Sequence, residues 1–138
     1  MRRTILMALV AGMALGSCTC GKTNSDNLET HIVNRWNILA ANGQSTNEAD
    51  MLPFIEFTDS GAVNGNASVN NFFGQYTLKG DSIFFDQMGA TSMMGHSMDT
   101  EIAVLTALSN CATLELQDST LYAKDMQGNI VLTMEKAQ

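Results

Sequence analysis

Residues 69–85 read "VNNFFGQYTLKGDSIFF". Two runs rich in aromatic and β-branched residues flank Lys79-Gly80-Asp81, a turn signal. The segment therefore reads as a β-hairpin. Gly74 interrupts the first run at a position suited to a bulge, and Phe72, Phe73 and Tyr76 around it read as the core of a curved sheet. Upstream, "PFIEFTDSGAVNGNASV" repeats the design from Pro53, with Asp59-Ser60-Gly61 as its turn. Earlier still, Trp36 and Ile38 share one face of a strand, and "ANGQST" (residues 41–46) reads as loop.

The period then changes once. From Met98 the apolar positions are Met98, Ile102, Leu105 and Leu108, the spacing of one helical face. Ser97 or Asp99 is placed to cap the helix, Asp99 and Glu101 suit its positive end, and Asn110 suits its close. Alternation by two resumes at Leu114 and Leu116, again at Leu121 and Ala123, and again at Ile130, Leu132 and Met134. Asp118-Ser119 and Gln127-Gly128-Asn129 separate these runs. The sum is an α+β, β-rich fold: a strongly curved antiparallel sheet, a partial barrel of seven or eight strands, with one short helix packed on it.

The amino terminus carries an address. Arg2 and Arg3 precede an uncharged apolar stretch, residues 4–15. A basic start and a short apolar run describe a secretory signal, and the run is shorter than the roughly 20 residues a membrane span needs. Leu15-Gly16-Ser17 before Cys18 resembles the bacterial lipobox. That resemblance implies cleavage of a signal peptide, residues 1–17, and lipid on Cys18. Cys20 fits less well, because Ser17 would then stand where an aliphatic residue is wanted. Several acyl chains make attachment to the membrane effectively permanent. The expected location is the bacterial cell envelope, at the outer membrane facing the periplasm. Residues 18–30 are polar and aperiodic and read as a tether, with the domain over residues 31–138.

After cleavage, five basic residues face fourteen acidic ones. That balance argues against nucleic acid and against flat contact with anionic lipid heads. With Cys18 lipidated, Cys20 and Cys111 remain. They are candidates for a disulfide in an oxidising compartment, while Cys111 also reads as a small buried hydrophobe.

The order of signals resembles the META domain, the HslJ-like envelope proteins. The residues that carry it are Trp36; "FIEF" (54–57); "SGAVNG" (60–65); "VNNFFGQYTLKGDSIFF" (69–85); "ATSMMG" (90–95); the helix from Met98; and "LELQDSTLYAKDMQGNIVLTM" (114–134). Many members of that family have a cysteine before the first Asn and another after the Thr-x-Met stretch. Here those positions are Val69 and Gly95, so no disulfide chemistry carries over to them. The resemblance implies a loose link to stress tolerance in the envelope and supplies no catalytic residues.

One stretch, "ATSMMGHSMDTE" (residues 90–101), invites three chemical readings. Gly95-His96-Ser97 matches the start of a serine nucleophile elbow, but Asp99 stands where the second Gly is needed. Met88, Met93, Met94, His96 and Met98 offer thioether and imidazole ligands suited to Cu(I). Against this, one of Met93 and Met94 falls at an apolar family position, and Met98 opens the helix face, which suits core filling. The third reading is a strand-to-helix connection, and it is preferred. The paired acids Asp81 and Asp86 read as solvated turn residues. The expectation is a non-enzymatic module with no cofactor, anchored through Cys18, with an envelope protein as partner. A metal site at Met93, Met94, His96 and Met98 is the alternative.

Overall fold

A computed structural model describes residues 25–47, 49 and 51–137. Its elements are α1 (Ser25–His31), β1 (Arg35–Ala41), β2 (Gln44–Ser45), β3 (Phe54–Phe57), β4 (Ala62–Asn66), β5 (Asn71–Lys79), β6 (Ser82–Ala90), α2 (Met98–Asn110), β7 (Thr113–Gln117), β8 (Thr120–Lys124) and β9 (Ile130–Lys136). Nine antiparallel strands form one sheet in the order β2-β1-β3-β4-β5-β6-β7-β8-β9, and β1 also pairs with β9. The sheet thus closes on itself. Among the described residues no helix is long and apolar enough to cross a membrane.

Alternation places one face of each strand inside the ring. Trp36 and Ile38 of β1, Ile55 and Phe57 of β3, Leu114 and Leu116 of β7, and Leu121 and Ala123 of β8 are all buried. A ring of this size is filled by its own side chains, and Trp36, Phe57 and Phe72 supply much of the volume. Phe57 meets Tyr76 edge-on, with centroids 5.0 Å apart. Tyr76 donates to the Thr58 carbonyl at 2.7 Å, which satisfies its half-buried hydroxyl. Burial, with Glu29 and Asp59 adding, raises its pKa.

Several expectations need correction. The tether was placed over residues 18–30, but Ser25–His31 is helical and Leu28 is only 2 % exposed. Leu28 and Ile32 lie four residues apart, on one helical side, and both join the core. The Trp36 indole N–H donates to the Ile32 carbonyl at 3.0 Å and ties α1 to β1. Polar neighbours hid this two-residue stripe. The loop at residues 41–46 contains a hairpin instead: Asn42 and Gly43 both take positive φ, the two-residue turn that matches strand twist, and Gln44 pairs with Ala41. Among the described residues the strands number nine rather than seven or eight, and there are two helices rather than one.

The buried side of α2 is also rotated from the expected one. Ile102 is 60 % exposed, while Glu101, Ala103, Val104, Ala107 and Leu108 are buried. In β9, Ile130 is exposed and Val131 buried, because the β8–β9 register shifts between Ala123 and Lys124. The bulge expected at Gly74 is present, as the β5–β6 register shifts between Phe73 and Gln75. A methyl group at Gly74 would displace the Met88 sulfur and lie 3.0 Å from the Asp86 carbonyl, so glycine lets the two strands approach closely here. Of the three aromatics assigned to the core here, Phe72 is buried, Tyr76 is partly so, and Phe73 faces solvent.

Candidate functional site

Two places stand out, one at each end of α2. The first is a buried polar knot around Asn70. Its backbone N–H donates to Glu101 Oε1 at 2.5 Å and its Nδ2 to Glu101 Oε2 at 2.6 Å. Nδ2 also donates to the Met93 carbonyl at 2.9 Å. Asn70 Oδ1 accepts from Thr91 Oγ1 at 2.8 Å and from the Met93 N–H at 2.6 Å. Its carbonyl accepts from the Ala67 N–H at 2.9 Å. Two amide donors and two acceptor lone pairs are therefore all used.

Glu101 is only 3 % exposed, and a buried carboxylate needs such donors to offset its lost hydration. The knot joins the turn before β5, the connection at residues 91–97 and the first turn of α2. Next to it, Ser68 holds φ at +101°, and its buried hydroxyl lacks a hydrogen-bond partner. The Ser68 N–H donates to Asn66 Oδ1 at 2.7 Å, which helps hold that conformation.

The second place is the seam between β6 and β7. Their only register pair is Ser82 with Thr113. Flanking bonds run from the Ile83 N–H to the Ala112 carbonyl at 2.9 Å and from the Leu114 N–H to the Asp81 carbonyl at 2.8 Å. β6 continues to Ala90 paired with β5 on its other side. Opposite its free edge lies the C-terminal half of α2. Between them is a cavity of about 600 Å³, with Phe72, Phe85 and Met88 on one wall and Leu105, Leu108 and Cys111 on the other. A second cavity of about 740 Å³ shares Ile83, Phe84, Ser109 and Cys111 with the first and reaches Asp125 and Met126. Together they make one mainly apolar groove. Burial pushes the Cys111 thiol up to about 12, so the cysteine in the groove is held as the thiol rather than the nucleophilic thiolate.

The residues singled out in the sequence are scattered between these places. Cys18 and Cys20 lie outside the described residues. Met88 lines the groove from β6, and Met98 begins α2. Met93 is gripped through its main chain by Asn70, but its side chain faces solvent, and Met94 is 84 % exposed. The core-filling role expected of one of them is therefore corrected: this connection lies over the outside of the barrel. His96 is exposed as well. Ser97 holds the N-cap position without a side-chain cap bond, and its carbonyl accepts from the Glu101 N–H at 3.0 Å. Asp81 and Asp86 are both exposed; Asp81 sits in the expected turn, but Asp86 lies within β6, paired with Gln75 beside the bulge, so its turn assignment is corrected.

The Asn70–Glu101 pair was missed. Glu101 looked like a dipole-facing surface acid. The available signal was its place on the buried face once α2 is turned by one residue, opposite an otherwise unexplained Asn-Asn pair.

The family model of the META domain matches residues 27–138. No curated protein matches the chain. An NMR structure of a protein from Burkholderia xenovorans superposes with a TM-score of 0.66 at 18 % identity, over 94 % of this chain and 99 % of that one. A second NMR structure gives 0.65 at 17 % identity, over 83 % and 95 %. The crystal structure of a DUF4847 family protein from Bacteroides vulgatus gives 0.57 at 12 % identity, over 78 % and 96 %. At these identities the likeness is one of fold.

Proposed function

We propose that this chain, which belongs to the META domain family, is a lipid-anchored envelope protein whose barrel serves as a non-catalytic binding module in envelope stress tolerance. The anchor is Cys18, after the lipobox-like Leu15-Gly16-Ser17. The location that follows is the outer membrane, facing the periplasm. The stress role rests on the family resemblance.

The observation that carries the binding reading is the groove between β6 and α2. Its volume is that of ordinary ligand sites. Its first cavity is lined mainly by apolar side chains, the second adds Asn110, Thr113, Asp125 and Gln127, and its one thiol is kept protonated by burial. Such a surface favours capture over chemistry.

Two measurements test the proposal. Cells fed a labelled fatty acid should label the wild type and fractionate it with membranes. Cys18→Ser should lose both properties, and a labelled Cys18→Ser protein would sink the anchor. For binding, a photoreactive residue at Phe84, on the groove, should crosslink to a discrete envelope component. The same residue at Ile130, exposed on β9, should not. Equal or absent crosslinking at the two positions would remove the binding reading.

A second reading keeps Met93, Met94, His96 and Met98 as a Cu(I) site. It is favoured by one observation, the solvent-facing placement of Met93 and Met94. Anaerobic Cu(I) titration against a competing chelator, in a Cys111→Ala background, decides it. Tight binding lost in His96→Ala supports the site, and binding no tighter than a methionine-rich peptide eliminates it.

A further inference from the structure

We infer that the β6–β7 seam is a strand-addition site. Its occupant is an extended segment of another protein, with alternating apolar side chains and lysine or arginine at its ends. The inference rests on the binding-module reading and names the partner's chemistry.

The first argument is the backbone. β6 has nine residues, yet β7 pairs with it only at Ser82. In an antiparallel strand, alternate residues aim both main-chain groups to the same side. The Ile83 N–H goes to the Ala112 carbonyl on the β7 side, so Phe85, two residues on, aims its N–H and carbonyl into the seam. Beyond Ser82 no strand among the described residues accompanies that edge. Exposed edges of this kind are normally blunted by charge, proline, a bulge or a covering element. Over residues 83–85, "IFF", there is no charge, proline or bulge; Asp86 and the bulge at Gln87 limit the open edge to this stretch, and α2 stands across a groove from it.

The second argument is what lines the edge. The cavities on either side of Phe84 form one groove, and Phe84 itself is 57 % exposed. An added strand would set alternate side chains against Phe85 and Leu108 on one side and the others beside the exposed ring of Phe84 on the outer side, which demands alternation in the partner.

The third argument is charge. The named walls of the groove carry Asp125 and no lysine or arginine. Neighbouring Lys124 is engaged by Glu115 at 2.7 Å. From residue 25 onward, Arg35, Lys79, Lys124 and Lys136 face all fourteen acidic residues of the chain. An acidic-ended segment or a free fatty acid meets repulsion there, and a basic-ended segment meets attraction.

The test uses the full chain reconstituted in lipid nanodiscs. The probe is a fluorescent peptide, KKVTVFVTKK. Beside it run EEVTVFVTEE, a KKVTVFVTKK with alternate amides N-methylated, and laurate as an acyl competitor. The basic peptide should bind about tenfold or more tighter than the acidic and methylated ones. It should slow hydrogen exchange at the Phe85 amide and lose affinity in Phe84→Ser. Equal binding of the methylated peptide overturns strand addition, because side chains alone would suffice. Binding of laurate without the basic peptide overturns the inference but leaves the groove as a binding site. No binding of any probe overturns the inference, and the Phe84 crosslinking experiment then decides separately whether the binding-module reading survives.

Discussion

The two ends of α2 are built on opposite principles. At its start, one asparagine satisfies a buried carboxylate, a carbonyl, an N–H and a threonine hydroxyl at once. At its finish, two strands of the ring are joined by one register pair and the space beside them is an apolar groove. A fully satisfied buried network fixes one arrangement, since each broken bond strands a group without water. An unpaired edge fixes nothing and stays available. The helix is thus pinned at one end and borders an open groove at the other. The contrast places stability on the knot and makes the seam the proposed binding edge.

The strongest way to break that comparison is Asn70→Ala. It removes the side-chain partners of Met93, Thr91 and Glu101 together and leaves a buried carboxylate with fewer donors. A loss of about 3 kcal/mol is expected from stranded buried groups. A urea unfolding series measures it, and hydrogen exchange at the Met93 amide should rise in the same variant. A loss below about 0.5 kcal/mol, the range of ordinary surface changes, would show that the knot fixes nothing.

Gly65→Ala probes the closed wall. The new methyl group would collide with the Phe54 carbonyl oxygen and the Phe72 ring and lie 3.0 Å from the Ile55 Cα. Main chain cannot step aside as a flexible side chain can. Overpacking here should cost about 1–3 kcal/mol, read as a lower unfolding midpoint. On the seam, Phe84→Ser should fall within about 0.5 kcal/mol of wild type despite removing an aromatic ring, because that ring is largely in solvent. A large loss at Phe84 would make the groove a piece of core and erase the distinction.

How much of this was legible depends on where periodicity had a cause. Strands β3 to β8 announced themselves because each has one wet face and one dry one, with Gly61, Gly80 and Asp118 at positive φ in the turns between. Helix α1 did not, because Leu28 and, just past its end, Ile32 are the two core residues here among those whose burial is described, too few for a visible stripe. The face of α2 was misread because Glu101 is polar and buried, and a hydrophobic pattern cannot show a carboxylate whose partner lies 31 residues away. The groove was invisible for a related reason. It is made by pairing that stops, and a sequence records which residues favour strands, not where two strands part. The missing cysteines at Val69 and Gly95 gain a physical reading as well. They flank positions that Asn70 and Met93 tie by hydrogen bonds in this chain.

The smallest expected effect sits at the lip of the groove. Asp125 lines the second cavity and holds the turn before β9, its carboxylate accepting from the N–H groups of Asn129 at 2.9 Å and Gln127 at 3.0 Å. The bond from the Asn129 backbone is the main cause of its lowered pKa. A group whose folded pKa lies below its unfolded value stabilises the fold above the unfolded value, and that contribution fades as pH falls through the folded one. Wild type should therefore exceed Asp125→Asn in thermal midpoint by a small, constant margin from neutral pH down to about 4, the unfolded value, and the margin should close below it. The turn is exposed, so the margin stays small. A margin that instead widens in acid would mean that Asp125 is repelled by its acidic surroundings more than it is held by the turn.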